Sequence, residues 1–225
     1  MIVAIIGIET YFGTRMGRYR VLDALATLAF AYPPRSAFFT SELESFLLLT
    51  REERVDATAA LGSYAGAMGA GQFIPSSYRA YAVDGDADGK RDLWTNWNDV
   101  LGSVANYFAK HGWRAGEPVI DPATRGNGFA GPEPRNNLDL DGTVGSVTKL
   151  GYVFETTLPA EAPAAAYSFE AAGGGSEYWV GYHNFYVVTR YNRSTKYALA
   201  AHQLSQAIRS RYFETVASNT EAVAQ

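Results

Sequence analysis

The chain contains no cysteine, which excludes a disulfide framework, thiolate catalysis and zinc–cysteine sites. Histidine is scarce. His111, His183 and His202 do not fall at metal-ligand spacing, and no helix carries His-Glu-x-x-His, so they read as structural. No nucleophile elbow supports Ser-His-Asp catalysis. No stretch reaches the roughly 18 apolar residues that span a bilayer. The apolar start, Met1 to Ile8, is too short for that and lacks the basic flank and cleavage site of an export signal, so it reads as a core helix. Nor is there an excess of positive charge. Nineteen Lys and Arg stand against 23 Asp and Glu, a net charge of −4. That argues against nucleic acid as a partner, because binding phosphates takes a dense basic patch. No internal repeat is visible.

What remains is a globular composition. A chain of 225 residues with 47% hydrophobic and 19% charged residues buries a sizeable core in one large domain or two small ones. Aromatics are frequent, with 15 Tyr against 4 Trp. Sugar clefts use such rings, although ordinary cores do as well. Residues 2–10 are expected to form a buried helix ending near Gly13, and Val21 to Tyr32 a second, stopped by Pro33-Pro34. Ser36 to about Thr50 reads as a third, deep in the core, followed by a charged, solvated stretch from Arg51 to Asp56. Pro75 opens a short helix, and Asn98-Asp99 start another that ends at Gly112. From Arg114 to Tyr178 Pro and Gly become frequent, and Thr143–Leu150, Val153–Leu158 and Ala166–Phe169 read as strands. Gly173-Gly174-Gly175 reads as a loop tip. A last helix covers Tyr197 to about Val216, with Leu199, Leu204, Ile208 and Tyr212 on one face and a fraying end over Thr215–Gln225.

Glu9 closes the apolar run Ile5-Ile6-Gly7-Ile8 and is followed by Tyr11-Phe12-Gly13. Apolar walls disfavour the charged form of a carboxylate, and a carboxylic acid kept protonated near neutral pH can donate a proton to a leaving oxygen. Ile5, Ile6, Ile8 and Phe12 are the residues expected to build such a wall. On this segment alone, Glu9 reads more readily as a helix end with its head in water than as a catalytic acid.

Further along stands Gly62-Ser63-Tyr64-Ala65-Gly66-Ala67-Met68-Gly69-Ala70-Gly71-Gln72-Phe73-Ile74-Pro75-Ser76-Ser77-Tyr78. Its glycines do not make a Walker loop, since no Gly-Lys-Ser/Thr follows. Glycine here lets backbone approach a ligand or another helix closely. Together with the Glu9 segment, this run resembles the membrane-bound lytic murein transglycosylase B family, which cleaves bacterial peptidoglycan. The likeness continues through Tyr32-Pro33-Pro34-Arg35, Ser41-Glu42-Leu43-Glu44, Gly102 to Phe108, His111-Gly112-Trp113, Tyr182 to Tyr186 and Arg190 to Ser194.

The resemblance implies an α+β fold: a mostly helical lysozyme-like core over 1–113, a β-rich insertion over 114–180, and a return to the core with a C-terminal helix over 181–225. It implies that Glu9 is the single catalytic acid and base. Ser63 and Gln72 match positions lining the sugar cleft; taken alone they read as a turn residue and a surface amide. Tyr107, Asn184, Tyr186 and Tyr191 are further candidate substrate contacts, each with core packing as its plain alternative. Arg35 is what remains of a Pro-Arg-Arg sequence usual in the family, where Pro34 replaces the first Arg; that weakens the expected hold on the peptide stem. Family members carry an export signal and a further helical region before this point, so the chain is expected to be a fragment.

Asp84-Gly85-Asp86-Ala87-Asp88-Gly89 has the calcium-loop pattern D-x-D-x-D-G. The twelfth position is Thr95 rather than a bidentate Glu, so the motif is incomplete. Asp99 matches the family's remaining calcium ligand, and Lys90 is expected to offer its backbone carbonyl. The expected ligands of a structural Ca²⁺ are therefore Asp84, Asp86, Asp88, Lys90 and Asp99, with Asp92 capping locally. The expected partner is the glycan strand of peptidoglycan, bound by a monomer in the bacterial cell envelope, periplasmic or outer-membrane associated. The rival readings are a hydrolytic muramidase and an inactive glycan-binding module.

Overall fold

The computed structural model describes residues 1–223. It divides into two units, Met1–Tyr107 and Phe108–Gln225. The first is helical. Helices α1 (Ile2–Thr10), α2 (Val21–Ala31), α3 (Ser36–Glu52) and α4 (Pro75–Tyr81) precede α5 (Trp97–Lys110), whose last turn falls in the second unit. Two short antiparallel strands, β1 (Tyr19–Arg20) and β2 (Leu61–Gly62), pair with Tyr19 opposite Gly62. Helix α1 is apolar almost throughout, and Ala4, Ile5 and Ile6 are buried. Val21, Leu25 and Ala29 bury one stripe of α2, at four-residue spacing. Full burial of each large aliphatic side chain stabilises by roughly 1.5–3 kcal/mol.

Helix α3 is less deeply set than its composition suggests. Phe39, Phe46 and Leu49 are buried, but Phe38 and Leu47 lie exposed on the opposite side. The charged stretch after it is not all solvated either. Glu53 is largely covered and receives the Nε (2.7 Å) and backbone N–H (3.0 Å) of Arg91, while Glu52 takes a bidentate bond from Arg79. Pro75 opens α4 as expected. Its missing N–H would be an orphan at a helix start anyway, and the next N–H, of Ser76, is met by Glu42 from α3 at 2.9 Å.

The second unit carries a five-stranded antiparallel sheet built from β3 (Ile120–Arg125), β4 (Gly142–Thr143), β5 (Tyr152–Val153), β6 (Pro163–Glu170) and β7 (Ser176–Tyr182), in the order β4-β6-β7-β3-β5. Gly174 and Gly175, both at positive φ, turn the β6–β7 hairpin at the expected loop tip. Between β4 and β5 lies helix α6 (Val144–Lys149). Val144–Lys149 is therefore a helix where a strand over Thr143–Leu150 is expected; of that stretch only Thr143 belongs to a strand, β4. Its Val and Thr content favours a strand, but a capping box decides the matter. Thr143 Oγ1 accepts from the Ser146 N–H at 3.2 Å, and Ser146 Oγ accepts from the Thr143 N–H at 2.8 Å. Val144 and Val147, one helical turn apart, then bury together with Tyr152, Ala164, Val180 and Tyr182. Of Val153–Leu158 only Val153 belongs to a strand, whereas Ala166–Phe169 lies within the longer β6.

Arg125 on β3 is held between two rings, 4.1 Å from the centroid of Phe129 and 4.0 Å from that of Tyr178, with Glu133 at 2.7 Å. Helices α7 (His183–Tyr191) and α8 (Thr195–Val223) complete the unit. Leu199 is buried on α8 and Tyr212 is exposed, so the expected apolar face fades towards the C-terminus. Of the expected frayed stretch, Ala224 and Gln225 lie outside the described residues. Among the described residues no helix is long and apolar enough to cross a membrane.

Candidate active site

Helix α1 delivers Glu9, half-buried, one residue before its end. The helix closes by a paired C-terminal motif: the Tyr11 N–H meets the Gly7 carbonyl at 3.0 Å and the Phe12 N–H meets that of Ile6 at 3.3 Å. Tyr11, Phe12 and Gly13 all take left-handed backbone conformations, with φ of 50°, 57° and 81°. For the first two that costs about 1–2 kcal/mol each, and tertiary bonds offset it. The buried Thr10 hydroxyl donates to the carbonyl of Ala70 at 2.8 Å and accepts the Gly13 N–H at 2.9 Å. Of the four apolar residues expected to wall in Glu9, Ile5 and Ile6 are buried, but Ile8 and Phe12 are exposed. The drying is therefore one-sided within this unit.

Ala70 belongs to the glycine-rich run. Met68 and Phe73 exchange backbone bonds of 2.9 and 3.0 Å, which closes a tight turn over Gly69–Gln72. Gly69 must be glycine. Its φ is +69°, and a Cβ there would stand 2.3 Å from the Leu93 carbonyl oxygen. Gln72 itself is left-handed, at φ 52°. Its Nε2 donates to the carbonyls of Met16 (3.1 Å) and Gly69 (3.0 Å). Both partners are acceptors, so the amide orientation is fixed, and Oε1 is left to accept from a ligand. The end of the Glu9 helix and the loop that leaves it are thus each tied to the Gln72 turn, by Thr10 to Ala70 and by Gln72 to Met16.

Ser63 Oγ accepts from the N–H groups of Ala65 (3.2 Å) and Ala67 (3.0 Å), which leaves its hydroxyl proton to donate. Tyr107, half-buried on α5, has its ring 5.8 Å from that of Phe73 and 4.9 Å from that of Tyr81. Arg35 is exposed, its guanidinium 4.3 Å from the Phe38 ring centroid and 5.2 Å from that of Phe39. The buried Glu42 is fully occupied: Oε2 accepts the Ser76 N–H at 2.9 Å and Oε1 the Ser76 hydroxyl at 2.7 Å. It anchors α4 and is not placed to exchange protons with a ligand.

In the second unit Asn184 is fully buried. Its Oδ1 accepts the Arg114 N–H at 2.9 Å, and its Nδ2 donates to the carbonyls of Arg114 (2.8 Å) and Glu117 (2.9 Å). These bonds hold a turn and leave no N–H of the amide for a sugar, contrary to the expected contact role. Next to it His183 Nε2 donates to the Gly112 carbonyl at 2.8 Å. Tyr186 is half-buried under the Arg190 guanidinium, 5.8 Å from its ring centroid, and the Tyr191 ring lies 5.8 Å from that of Phe108.

Asp84, Asp86 and Asp99 offer carboxylate oxygens that all lie within 4.8 Å of one another. Asp99, fully buried at the start of α5, accepts the N–H groups of Gly85 and Asp92, both at 2.7 Å. Asp84 accepts those of Asp88 (3.1 Å) and Gly89 (2.8 Å). The bond from Asn96 keeps the Asp86 carboxyl below its ordinary range, so it is charged at neutral pH. An all-oxygen set of this kind suits a hard cation such as Ca²⁺. Asp88 stands outside the convergent group and accepts the Lys90 N–H at 2.9 Å. Asp92 caps locally, as expected, by accepting the N–H groups of Trp94 (2.8 Å) and Thr95 (3.0 Å). Burial works against its charge, but the bonds from Thr95 and Trp94 prevail and lower its pKa.

Thr10, the anchoring role of Glu42 and Trp97 are not legible from sequence pattern. The first two act through tertiary bonds, and an exposed ring is not distinguishable from a core ring in sequence.

Residues 1–206 match the family model described as the transglycosylase SLT domain. The chain is 47% identical over 208 residues to membrane-bound lytic murein transglycosylase B of Escherichia coli K12, covering 92% of this chain and 56% of that protein. It therefore spans a little over half the length of that relative. The soluble lytic transglycosylase SltB1 of Pseudomonas aeruginosa superimposes with a TM-score of 0.88 at 49% identity, covering 93% of this chain and 70% of the other. The Escherichia coli lytic transglycosylase Slt35, solved in complex with calcium, gives a TM-score of 0.83 at 44% identity, covering 93% and 65%. The fold is thus that of lysozyme-like lytic transglycosylases.

Proposed function

On the premise that the chain belongs to the transglycosylase SLT domain family, we propose that it cleaves the β-1,4 bond between N-acetylmuramic acid and N-acetylglucosamine in peptidoglycan, leaving a 1,6-anhydromuramyl end. Most glycosidases use two carboxylates; here Glu9 serves alone. Protonated, it gives its proton to the glycosidic oxygen as the C1–O bond breaks. The substrate's N-acetyl oxygen stabilises the positive charge at C1. The Glu9 carboxylate then takes the proton of the C6 hydroxyl while O6 closes on C1, so no water is consumed and Glu9 ends protonated.

The observation that carries the reading is the pair of ties that fasten the Glu9 helix end and the loop after it to the Gln72 turn. It supports a shared role for Glu9 as the acid and for the Gln72 amide oxygen as an acceptor for the sugar. Ser63 donates its free proton to the N-acetyl carbonyl or to Glu9, and Gln72 Oε1 accepts from a sugar hydroxyl or amide. In the first unit Tyr107 serves as a sugar-contacting ring and Arg35 as the remaining stem anchor; in the second, Tyr186 and Tyr191 are the candidate sugar-contacting rings and Asn184 supports its own turn. Asp84, Asp86 and Asp99, with Asp88 and the Lys90 carbonyl completing the shell, hold Ca²⁺ as a structural ion that neutralises their charge. The setting of this activity is the bacterial cell envelope, with glycan strands as the partner.

Mass spectrometry of muropeptides released from purified peptidoglycan tests the proposal. Anhydro products, one water lighter than hydrolytic ones, are expected. Reducing-end products would make the protein a muramidase, and binding without release would make it a glycan-binding module. The variant Glu9→Gln keeps the shape but cannot transfer a proton in either step; it is expected to fold, bind glycan and lose nearly all turnover.

A further inference from the structure

We propose that Trp97 is a stacking platform for an N-acetylhexosamine ring beside the catalytic turn, a subsite that rests on the reading of Glu9 as the catalytic group. Trp97 is the first residue of α5 and is 49% exposed. Exposure alone means little here, because Phe30 and Leu47 are exposed too. Trp97 differs in three respects.

The first is position. A Cβ added at Gly13 would stand 3.1 Å from both Cζ2 and Cη2 of Trp97. The benzo edge of the indole therefore rests on the turn that follows Glu9 by four residues, the turn Thr10 fastens to Ala70. The second is its free donor. Trp94, three residues earlier, has its indole N–H bound to the Leu61 carbonyl at 3.0 Å. No acceptor among the described residues meets that of Trp97, so the benzo edge of the ring is packed while its N–H is unmet. An indole with an apolar face and an unmet N–H suits a ligand that is apolar on one side and hydroxyl-rich at the rim, which describes a pyranose. The third is rigidity. The residues on either side of Trp97 are fixed: Asn96 Oδ1 accepts the Asn98 N–H at 3.0 Å, Asn96 Nδ2 reaches Asp86 at 2.9 Å, and Asp99 is buried with both oxygens bonded. A platform held in this way loses little freedom when a sugar settles on it. A ring needed only to cover Gly13 would serve as well if buried.

The test uses chitotetraose, an oligomer of N-acetylglucosamine, titrated by calorimetry into the whole chain and into its Trp97→Ala and Trp97→Phe variants. Trp97→Ala is expected to bind about tenfold more weakly, and Trp97→Phe to recover most of the loss because it keeps a ring face. On soluble peptidoglycan fragments the loss in Trp97→Ala is expected to fall on KM more than on kcat. Equal affinity of wild type and Trp97→Ala, or no binding of chitotetraose by the wild type, overturns the proposal. So does a Trp97→Phe variant as weak as Trp97→Ala with a melting temperature lowered to match, which assigns the ring to packing. A failure of the transglycosylase reading shows separately, as water-containing products from the wild type, and leaves the titration interpretable.

Discussion

Replacing Thr10 with valine keeps the volume and removes the hydroxyl. Two groups then lose their partners inside the protein: the Ala70 carbonyl, now bonded at 2.8 Å, and the Gly13 N–H, bonded at 2.9 Å. The Ile6 carbonyl, also within 3.1 Å of the hydroxyl, keeps its bond from the Phe12 N–H. An orphaned buried group costs about 1–3 kcal/mol. Gly13 is only half-buried, so water relieves part of its share, and a total of about 2–3 kcal/mol is expected. For a chain of this size that lowers the melting temperature by roughly 5–10 °C. Because the same bonds hold the residue after Glu9, turnover on peptidoglycan should fall as well, even below the melting range. Thr10→Ser retains both bonds and should recover most of the stability and the turnover. Urea denaturation and muropeptide release, measured on the same preparations, check both. A Thr10→Val protein within about 0.5 kcal/mol of wild type, with unchanged turnover, would refute the account of how the catalytic turn is fastened.

Chelation should lower the melting temperature if the acidic loop holds Ca²⁺, since a ligand at 100 times its dissociation constant adds about 2.7 kcal/mol; Asp86→Ala should remove most of that response, and identical melting curves with and without chelator would count against the ion. Asn184→Asp replaces an N–H donor facing the Arg114 and Glu117 carbonyls with an acceptor, and should cost about 2–4 kcal/mol at neutral pH. The introduced carboxyl has its pKa raised by burial, so part of that loss should return as the pH falls and the group becomes neutral, which a pH series of melts would reveal. Gln72→Ala should reduce kcat/KM by about tenfold to a hundredfold, as expected for loss of about 1–3 kcal/mol; normal kinetics would remove Gln72 from the cleft.

Helices α1 to α5 were legible because apolar spacing and the punctuation of Pro33, Pro75 and the glycines agree with one another. The misread elements are those where tertiary or capping terms override local preference. Val144, Val147 and Thr148 suggest a strand, yet the Thr143–Ser146 cap makes a helix. Strand β3 was missed because Pro122 argues against a strand. It is tolerated because β3 pairs there with β7 alone, Pro122 opposite Trp179, while β5 joins only at Thr124 and Arg125. In the proposed site, Glu9, Ser63 and Gln72 stand out in the sequence through spaced motifs. Thr10 was not, because what makes it matter is an acceptor 60 residues away. Asn184 shows the limit of such reading, since a polar residue in a motif looks the same whether it faces a ligand or, as its own bonds do here, a buried turn.

The acidic loop has a further consequence. Its convergent carboxylates come from both ends of one segment, Asp84 and Asp99, fifteen positions apart. A cation bridging them closes that segment as a covalent link would, and for a loop of about 15 residues such closure removes about 3 kcal/mol of chain entropy from the unfolded state. In a chain without cysteine, an ion held there would act as the cross-link. It needs no oxidant to form, and whether it is made depends on the free cation concentration around the protein rather than on the redox state of its surroundings.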